Sequence, residues 1–175
     1  MRRDLTRSAI VLIVFTVLLG LVYPLAVTGI AQIVFKGNVV TEPDPRYFQP
    51  RPSATGYSAT VTYFPNRGPN QASTRDLTRQ HLDAYLALER PYAPDLKASR
   101  VPVDAVTFSA SGVDPQISQA NAAIQAHRVA AARKLSLTRV HALIHANTAK
   151  RALGIFGEPG VNVTDLNLAL DREAR

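Results

Sequence analysis

The feature that most constrains this chain is a run of 28 residues, Ser8 to Phe35, without a single charge. A helix needs about 20 apolar residues to cross the hydrocarbon core of a bilayer. As helix, 28 residues reach about 42 Å, enough to span with tilt. From Ala9 to Val27 only Thr16 and Tyr23 are polar, so the segment has no polar face to offer water. Arg2, Arg3 and Arg7 precede it, and the excess of positive charge places the N-terminus in the cytoplasm. The expected layout is therefore a cytoplasmic N-terminus over 1–7, a transmembrane helix over 8–35, and an extracytoplasmic domain over 36–175. A cleaved signal peptide is the rival reading, with Ile10 to Val22 as its apolar core and Gly29-Ile30-Ala31 as small residues at the cleavage site. The apolar run continues through Ile33, Val34 and Phe35, which favours retention. Pro24 deep in the span predicts a kink or the interfacial end of the helix. Gly20 and Tyr23 beside it suit close contact with a partner helix.

The remaining 140 residues read as one α+β domain. Six of the twelve prolines lie between Pro43 and Pro69, so this stretch predicts turns and extended segments. Its aromatic residues, Tyr47, Phe48, Tyr57, Tyr63 and Phe64, predict packing against something. Arg75 to Glu89 predicts a helix, ended by Pro91 and Pro94. Val101 to Ser109 alternates as a strand does. Ser118 is a good N-cap for a helix over Gln119 to Lys134, and Ser136 for another from Leu137 to about Lys150. Gly154 and Gly157 break the chain. Val161-Asn162-Val163 predicts a short strand, and Thr164 or Asp165 caps a last helix to Arg172.

Several classes of chemistry are excluded or find little support. There is no cysteine, so disulfides and thiolate zinc sites are impossible. No P-loop, dinucleotide-binding fingerprint or nucleophile elbow is present; Gly56-Tyr57-Ser58-Ala59-Thr60 lacks the last glycine. His141 and His145 stand four apart on a predicted helix, a zinc-compatible spacing, but without the intervening Glu of zinc proteases. Catalytic residues are therefore not assigned, and the expectation is a chain that is not an enzyme, with no metal and no cofactor bound through a recognisable motif.

The charge distribution says more. Of 20 basic and 13 acidic residues, 17 and 12 fall in 36–175. No acid occurs between Asp114 and Glu158, an interval holding Arg128, Arg133, Lys134, Arg139, Lys150 and Arg151. Such a pair of helices offers a positive face to anionic lipid or an acidic partner, or simply to solvent. An exported domain without interleaved aromatics is a poor nucleic-acid binder.

Several stretches, in order, carry a resemblance. They are RRDLTRSAI and YPLAVTGIAQ, then DPRYFQPRPSATGY (Asp44 to Tyr57), VPVDAVTFSASGVDPQIS (Val101 to Ser118), RVAAAR (Arg128 to Arg133) and GEPGVNVTDLNLALD (Gly157 to Asp171). Together the chain resembles the C-subunit family of Kdp-type potassium-transporting ATPases, from end to end. The resemblance implies a single-pass protein of the bacterial inner membrane with its domain outside. It implies partners: a potassium-channel-like subunit, a P-type ATPase subunit and a small single-helix subunit. It also implies a role as assembly factor or catalytic chaperone that raises the affinity of the ATPase subunit for ATP. The chain lacks the Asp-Lys-Thr-Gly-Thr phosphorylation motif and the Thr-Val-Gly-Tyr-Gly filter, so it is neither main subunit. Any ATP would reach it only through the ATPase subunit.

The matched residues that become candidate motif or interface positions are Tyr23, Pro24, Asp44, Pro45, Arg46, Tyr47, Phe48, Arg51, Pro52, Ser53, Asp114, Pro115, Ser118, Arg128, Gly157, Glu158, Asn162 and Asn167. Asp44-Pro45 and Asp114-Pro115 are turn formers whose carboxylates accept backbone N–H groups. Arg46 and Arg51 suit clamps on those turns or contacts to an acidic partner. Asn162 and Asn167 suit the satisfaction of buried backbone groups. The sequence departs from the family pattern in three places, one of them VTYFPNRGPNQAST in place of the usual Gly/Ser/Asn-rich stretch near 60 to 70. KGNVVTEP alone joins the span to Asp44, where the pattern has a longer Gly/Ser-rich stretch, and Gln116 stands where it has His. The alternative reading is a membrane-anchored or exported basic module for anionic envelope components.

Overall fold

The computed structural model describes residues 2–34, 44–58, 61–64, 66–68, 70–151 and 155–173. The end of the span at Phe35, the Lys36–Pro43 connection and the break at Gly154 lie outside the described residues. The chain divides into two compact units, Met1–Val39 and Val40–Arg175.

The first unit is one continuous helical rod, Arg2–Val34, of mean hydropathy 2.8 over its most apolar window, and none of that window is buried. It consists of α1 (Arg2–Val17), a π-helical turn (Leu18–Val22) and α2 (Tyr23–Val34). Pro24 accounts for the π turn. It has no N–H, and its ring crowds the carbonyl four residues back. The ladder just before it slips by one residue, and the Tyr23 N–H bonds to the Leu18 carbonyl. The helix then continues to Val34, so Pro24 does not end it.

The second unit is α+β. Helix α3 covers Ala72–Glu89, three residues longer at its start than the sequence predicts. Helix α4 (Gln119–Arg133) starts at Ser118, whose hydroxyl accepts the Asn121 N–H, and ends at Lys134 in the left-handed region at φ 56°. Helix α5 (Leu137–Ala146) starts at Ser136 in the same way. It stops four residues before Lys150 because Thr148–Ala149 forms strand β2 instead. Strands β1 (Gln116–Ser118) and β3 (Gly160–Asn162) complete an antiparallel sheet of order β1-β3-β2, with Ile117 opposite Val161 and Thr148 opposite the same residue. Helix α6 (Val163–Glu173) follows β3 directly. Its cap is Asn162, not Thr164 or Asp165: the Asn162 Oδ1 accepts the N–H groups of Thr164 and Asp165 at 3.0 and 3.3 Å.

The predicted strand over Val101–Ser109 does not form. One 3-10 turn, Ala98–Arg100, ends just before this stretch and another, Val103–Ala105, lies within it. Pro102 has no N–H to give a ladder, and its carbonyl accepts the Ala105 N–H instead. The turn carries Asp104 onto the start of α4, where its carboxylate accepts from the Ser118 N–H, the Ser118 hydroxyl and the Asn121 amide at 2.8 to 3.0 Å. These three bonds outweigh the alternating pattern.

The core is built from the inner faces of α4, α5 and α6 and the sheet. Ala122, Ala126, Val129 and Ala130 meet Val140, Leu143 and Ile144 of α5, and Ile117, Val161, Val163, Leu166 and Leu170 complete the cluster. Among the described residues, Phe48 is the one aromatic side chain buried in it. Tyr63 and Phe64 stay largely exposed, against the expectation that the aromatics of that stretch pack.

Candidate functional site

Phe48 reaches the core from a segment with no regular structure, so something else must hold its backbone. Residues 44–49, DPRYFQ, form a strap laid across α4 and α6. The strap opens on a turn: Asp44 accepts the Arg46 N–H on its carboxylate at 2.8 Å, and its carbonyl accepts the Tyr47 N–H. The Arg46 guanidinium also bonds to this carboxylate, at 2.8 to 3.3 Å, and so holds the Asp44 carboxyl below its ordinary range.

The rest of the strap is gripped through its main chain by side chains. Asn167 of α6 accepts the Phe48 N–H and donates to the Phe48 carbonyl, both at 2.9 Å. Gln125 of α4 does the same for Gln49, at 2.7 and 3.0 Å. Arg128 donates one Nη to the carbonyls of Pro45 and Tyr47. Arg133 donates to the Arg46 carbonyl, pairs with Asp171 at 2.9 Å and lies 4.2 Å from the centre of the Tyr47 ring. The Tyr47 hydroxyl donates to the same Asp171 at 2.8 Å. An unladdered segment with one buried residue, Phe48, thus has its main chain satisfied bond by bond.

Arg128 is fully buried and ion-paired at 2.9 Å to Glu89 of α3, which is 1% exposed. Its other Nη donates to Gln125. Gln125 in turn donates to Asn121, which also accepts the Tyr85 hydroxyl at 2.8 Å and donates to Asp104. One polar chain therefore runs Glu89, Arg128, Gln125, Asn121, Asp104, Ser118 beneath the strap. Burial pushes the Glu89 carboxyl up, with Arg128 pulling against it, and burial pushes the Tyr85 hydroxyl up as well. Removing one member of such a buried pair costs about 3–5 kcal/mol, because the other charge is left without compensation.

A second clamp ties Arg51, Pro52 and Ser53, at the far end of the first motif, to the stretch from Phe108 to Asp114. The Ser53 hydroxyl donates to the Gly112 carbonyl at 2.6 Å and accepts the N–H groups of Thr55 and Tyr57. The Ser109 N–H bonds to the Pro52 carbonyl at 3.0 Å. Arg51 bonds to the Phe108 carbonyl at 2.8 Å and lies 3.7 Å from the Asp114 carboxylate. Asp114 caps its own turn by accepting the Gln116 N–H at 3.0 Å, and the Pro115 carbonyl accepts the Val163 N–H at 2.8 Å. Gly157 adopts φ 79°, and Glu158 pairs with Arg151 at 3.0 Å. Tyr23 and Pro24 belong to the other unit, at the π turn.

The positive face expected between Asp114 and Glu158 is mostly spent internally. Arg128 is buried on Glu89, Arg133 pairs with Asp171, Arg139 with Glu173 and Arg151 with Glu158. His141 and His145 are both exposed on α5, and among the described residues no three side chains are grouped to hold a metal ion.

Sequence reasoning missed Glu89, Asn121, Gln125, Asp104 and Asp171. A signal for part of the cluster was present: Asn121, Gln125 and Arg128 fall at i, i+4 and i+7 of α4, a polar line on an alanine-rich helix. That line faces inward, as burial of all three shows.

A model of the family described as "K+-transporting ATPase, c chain" (KdpC) matches residues 5–42 and 37–172. A "Potassium-transporting ATPase KdpC subunit" of Mycobacterium tuberculosis (strain H37Rv) is 42% identical over 192 residues, covering 98% of this chain and all of the relative. Proteins of the same name from Koribacter versatilis and Beijerinckia indica are 38% and 40% identical, each covering 98% of this chain and 95% and 94% of the relative. With 98% of 175 residues spread over 192 aligned positions, about 20 positions face no residue here. The two matched pieces meet at 37–42, in the short connection after the span. Across both units, then, the chain belongs to the KdpC family, the c chain of potassium-transporting ATPases.

Proposed function

We propose that this chain is the non-catalytic accessory subunit of an ATP-driven potassium-import complex, promoting its assembly and raising the ATP affinity of its ATPase subunit. The observation that carries this reading is the end-to-end similarity to relatives named as KdpC subunits of potassium-transporting ATPases. The site supports it in kind. The matched motifs fold into clamps on the chain's own backbone rather than into a nucleophile with its base, which suits a scaffold.

In this reading the chain crosses the inner membrane once, with Arg2, Arg3 and Arg7 on the cytoplasmic side and the α+β unit outside. Its partners are the channel-like subunit, the P-type ATPase subunit and the small single-helix subunit. A domain outside cannot touch cytoplasmic ATP, so its effect on the nucleotide runs through the membrane helix or a partner. The basic-module alternative is weaker, because four of the six basic residues on which it rests are paired within the chain.

The test is the ATP dependence of potassium-stimulated hydrolysis by the purified complex with and without this chain. The expected result is a higher KM for ATP when it is missing, restored by adding it back. An unchanged KM in a complex that is otherwise intact contradicts the proposed role.

A further inference from the structure

Inside a bilayer every backbone carbonyl needs a donor from protein, because no water is there to supply one. The π turn before Pro24 breaks that supply at one point of the apolar rod. The Tyr23 N–H goes to the Leu18 carbonyl. The Leu19 carbonyl is thereby passed over: its α-ladder donor, Tyr23, is engaged, and its π-ladder donor would be Pro24, which has no N–H. Gly20 loses its α-ladder donor to the same proline. The helix has no side chain to step in. A hydroxyl that bonds back onto its own helix reaches the carbonyl three or four residues earlier. The positions that could do so here are Val22, Tyr23 and Pro24, and the Tyr23 hydroxyl stands at the far end of a rigid ring.

We infer that the Leu19 and Gly20 carbonyls are the docking point for a transmembrane helix of a partner subunit, one that carries a hydroxyl or carboxamide donor. Depth argues for such an occupant. Leu19 lies about 17 Å along the axis from Ser8, near the middle of a hydrocarbon core about 30 Å thick, so headgroups and bulk water do not reach it. Lipid tails carry no donor. Room argues for it too: a Cβ at Gly20 would meet nothing within 4 Å, so the helix lets another backbone come close beside the two carbonyls. The inference rests on the reading that the chain crosses the membrane as part of the pump complex.

The test reads the Leu19 carbonyl by solid-state NMR, with ¹³C-carbonyl leucine and ¹⁵N-glycine in the full-length chain. Leu-Gly occurs twice in the sequence, and the signal that G20A abolishes belongs to Leu19. P24A restores the ladder and gives the position of a bonded Leu19 carbonyl. In lipid alone the wild-type signal is expected upfield of the P24A signal. In the affinity-purified complex it is expected to move downfield to the P24A position. A signal unmoved between the two preparations, or already at the P24A position in lipid alone, overturns the inference while leaving the pump reading intact. A cross peak from this carbonyl to water in the complex assigns the donor to a bound water and overturns the partner side chain. Failure of the complex to assemble shows at purification and overturns the pump reading together with this docking point.

Discussion

Asn167 and Phe48 are joined by two hydrogen bonds of 2.9 Å, the Asn side chain accepting the Phe N–H and donating to the Phe carbonyl. The amide of α6 thus replaces the strand partner that the DPRYFQ strap lacks. It fixes the backbone of the residue whose ring enters the core. N167A leaves both backbone groups of Phe48 without partners. The expected loss is about 2–4 kcal/mol of unfolding free energy, since each unsatisfied buried group costs about 1–3 kcal/mol. N167D keeps the acceptor and loses the donor, and should fall between the wild type and N167A. Urea unfolding of the three proteins in one detergent checks the order.

Arg128 holds the strap from the other side and neutralises Glu89. R128M keeps an unbranched apolar stem and removes the charged guanidinium with its bonds to the strap, so the expected destabilisation is about 3–5 kcal/mol. The pH dependence carries a sign. Burial already raises the Glu89 carboxyl, and loss of Arg128 raises it further. A carboxyl whose folded pKa lies above its unfolded value loses stability as pH rises from the unfolded value to the folded one. The R128M deficit should therefore be smaller near the ordinary value of 4.5 than at pH 8. A deficit independent of pH would show that Glu89 does not titrate in this way. Thermal unfolding across that range provides the measurement.

Glu173 behaves in the opposite sense. Arg139 bonds to both of its oxygens at 2.6 and 2.8 Å and holds its carboxyl below 4.5. A lowered folded pKa contributes stability above the ordinary range and loses it as pH falls through the folded value. E173Q should melt slightly below the wild type at neutral pH, the effect being small because both groups face solvent. The gap should close as pH drops below 4.5. Melting curves of both proteins at neutral and acid pH test this.

Gly112 stands at φ 78°, and a Cβ there would sit 2.6 Å from the Thr55 hydroxyl, which is itself bonded to Ser53. G112A meets both obstacles: backbone strain of about 1 kcal/mol and displacement of the Ser53–Thr55 clamp. The double variant T55A/G112A clears the contact but keeps the strained φ. It should recover part of the loss relative to G112A and remain below T55A alone. Denaturant midpoints of the three variants check this order.

How much of this was legible beforehand follows from the range of the interactions. The apolar rod and the Ser118 and Ser136 caps depend on residues within a few positions of one another, and the sequence pattern located them. Asn162 as the cap of α6 is equally local, but Thr164 and Asp165 offered the same chemistry two and three residues later. Val101–Ser109 misled because its alternation is real while its fate is set by Asp104 reaching α4. The strap was legible only as a motif. Its meaning depends on contacts such as Gln49 with Gln125 and Phe48 with Asn167, 76 and 119 residues apart, which no local pattern encodes. The run without acids looked like a surface because pairing partners such as Glu89 and Asp171 lie outside it in sequence and beside it in space.

The central claim is that this chain works as one subunit of a potassium-transporting ATPase. Its most direct test is purification through an affinity tag on this chain, expressed with the channel-like and ATPase subunits and extracted in mild detergent. The channel-like, ATPase and small single-helix subunits are expected to elute with it at fixed ratio through size exclusion. Recovery of this chain alone, with the other subunits assembled into a stable complex that lacks it, would contradict the claim.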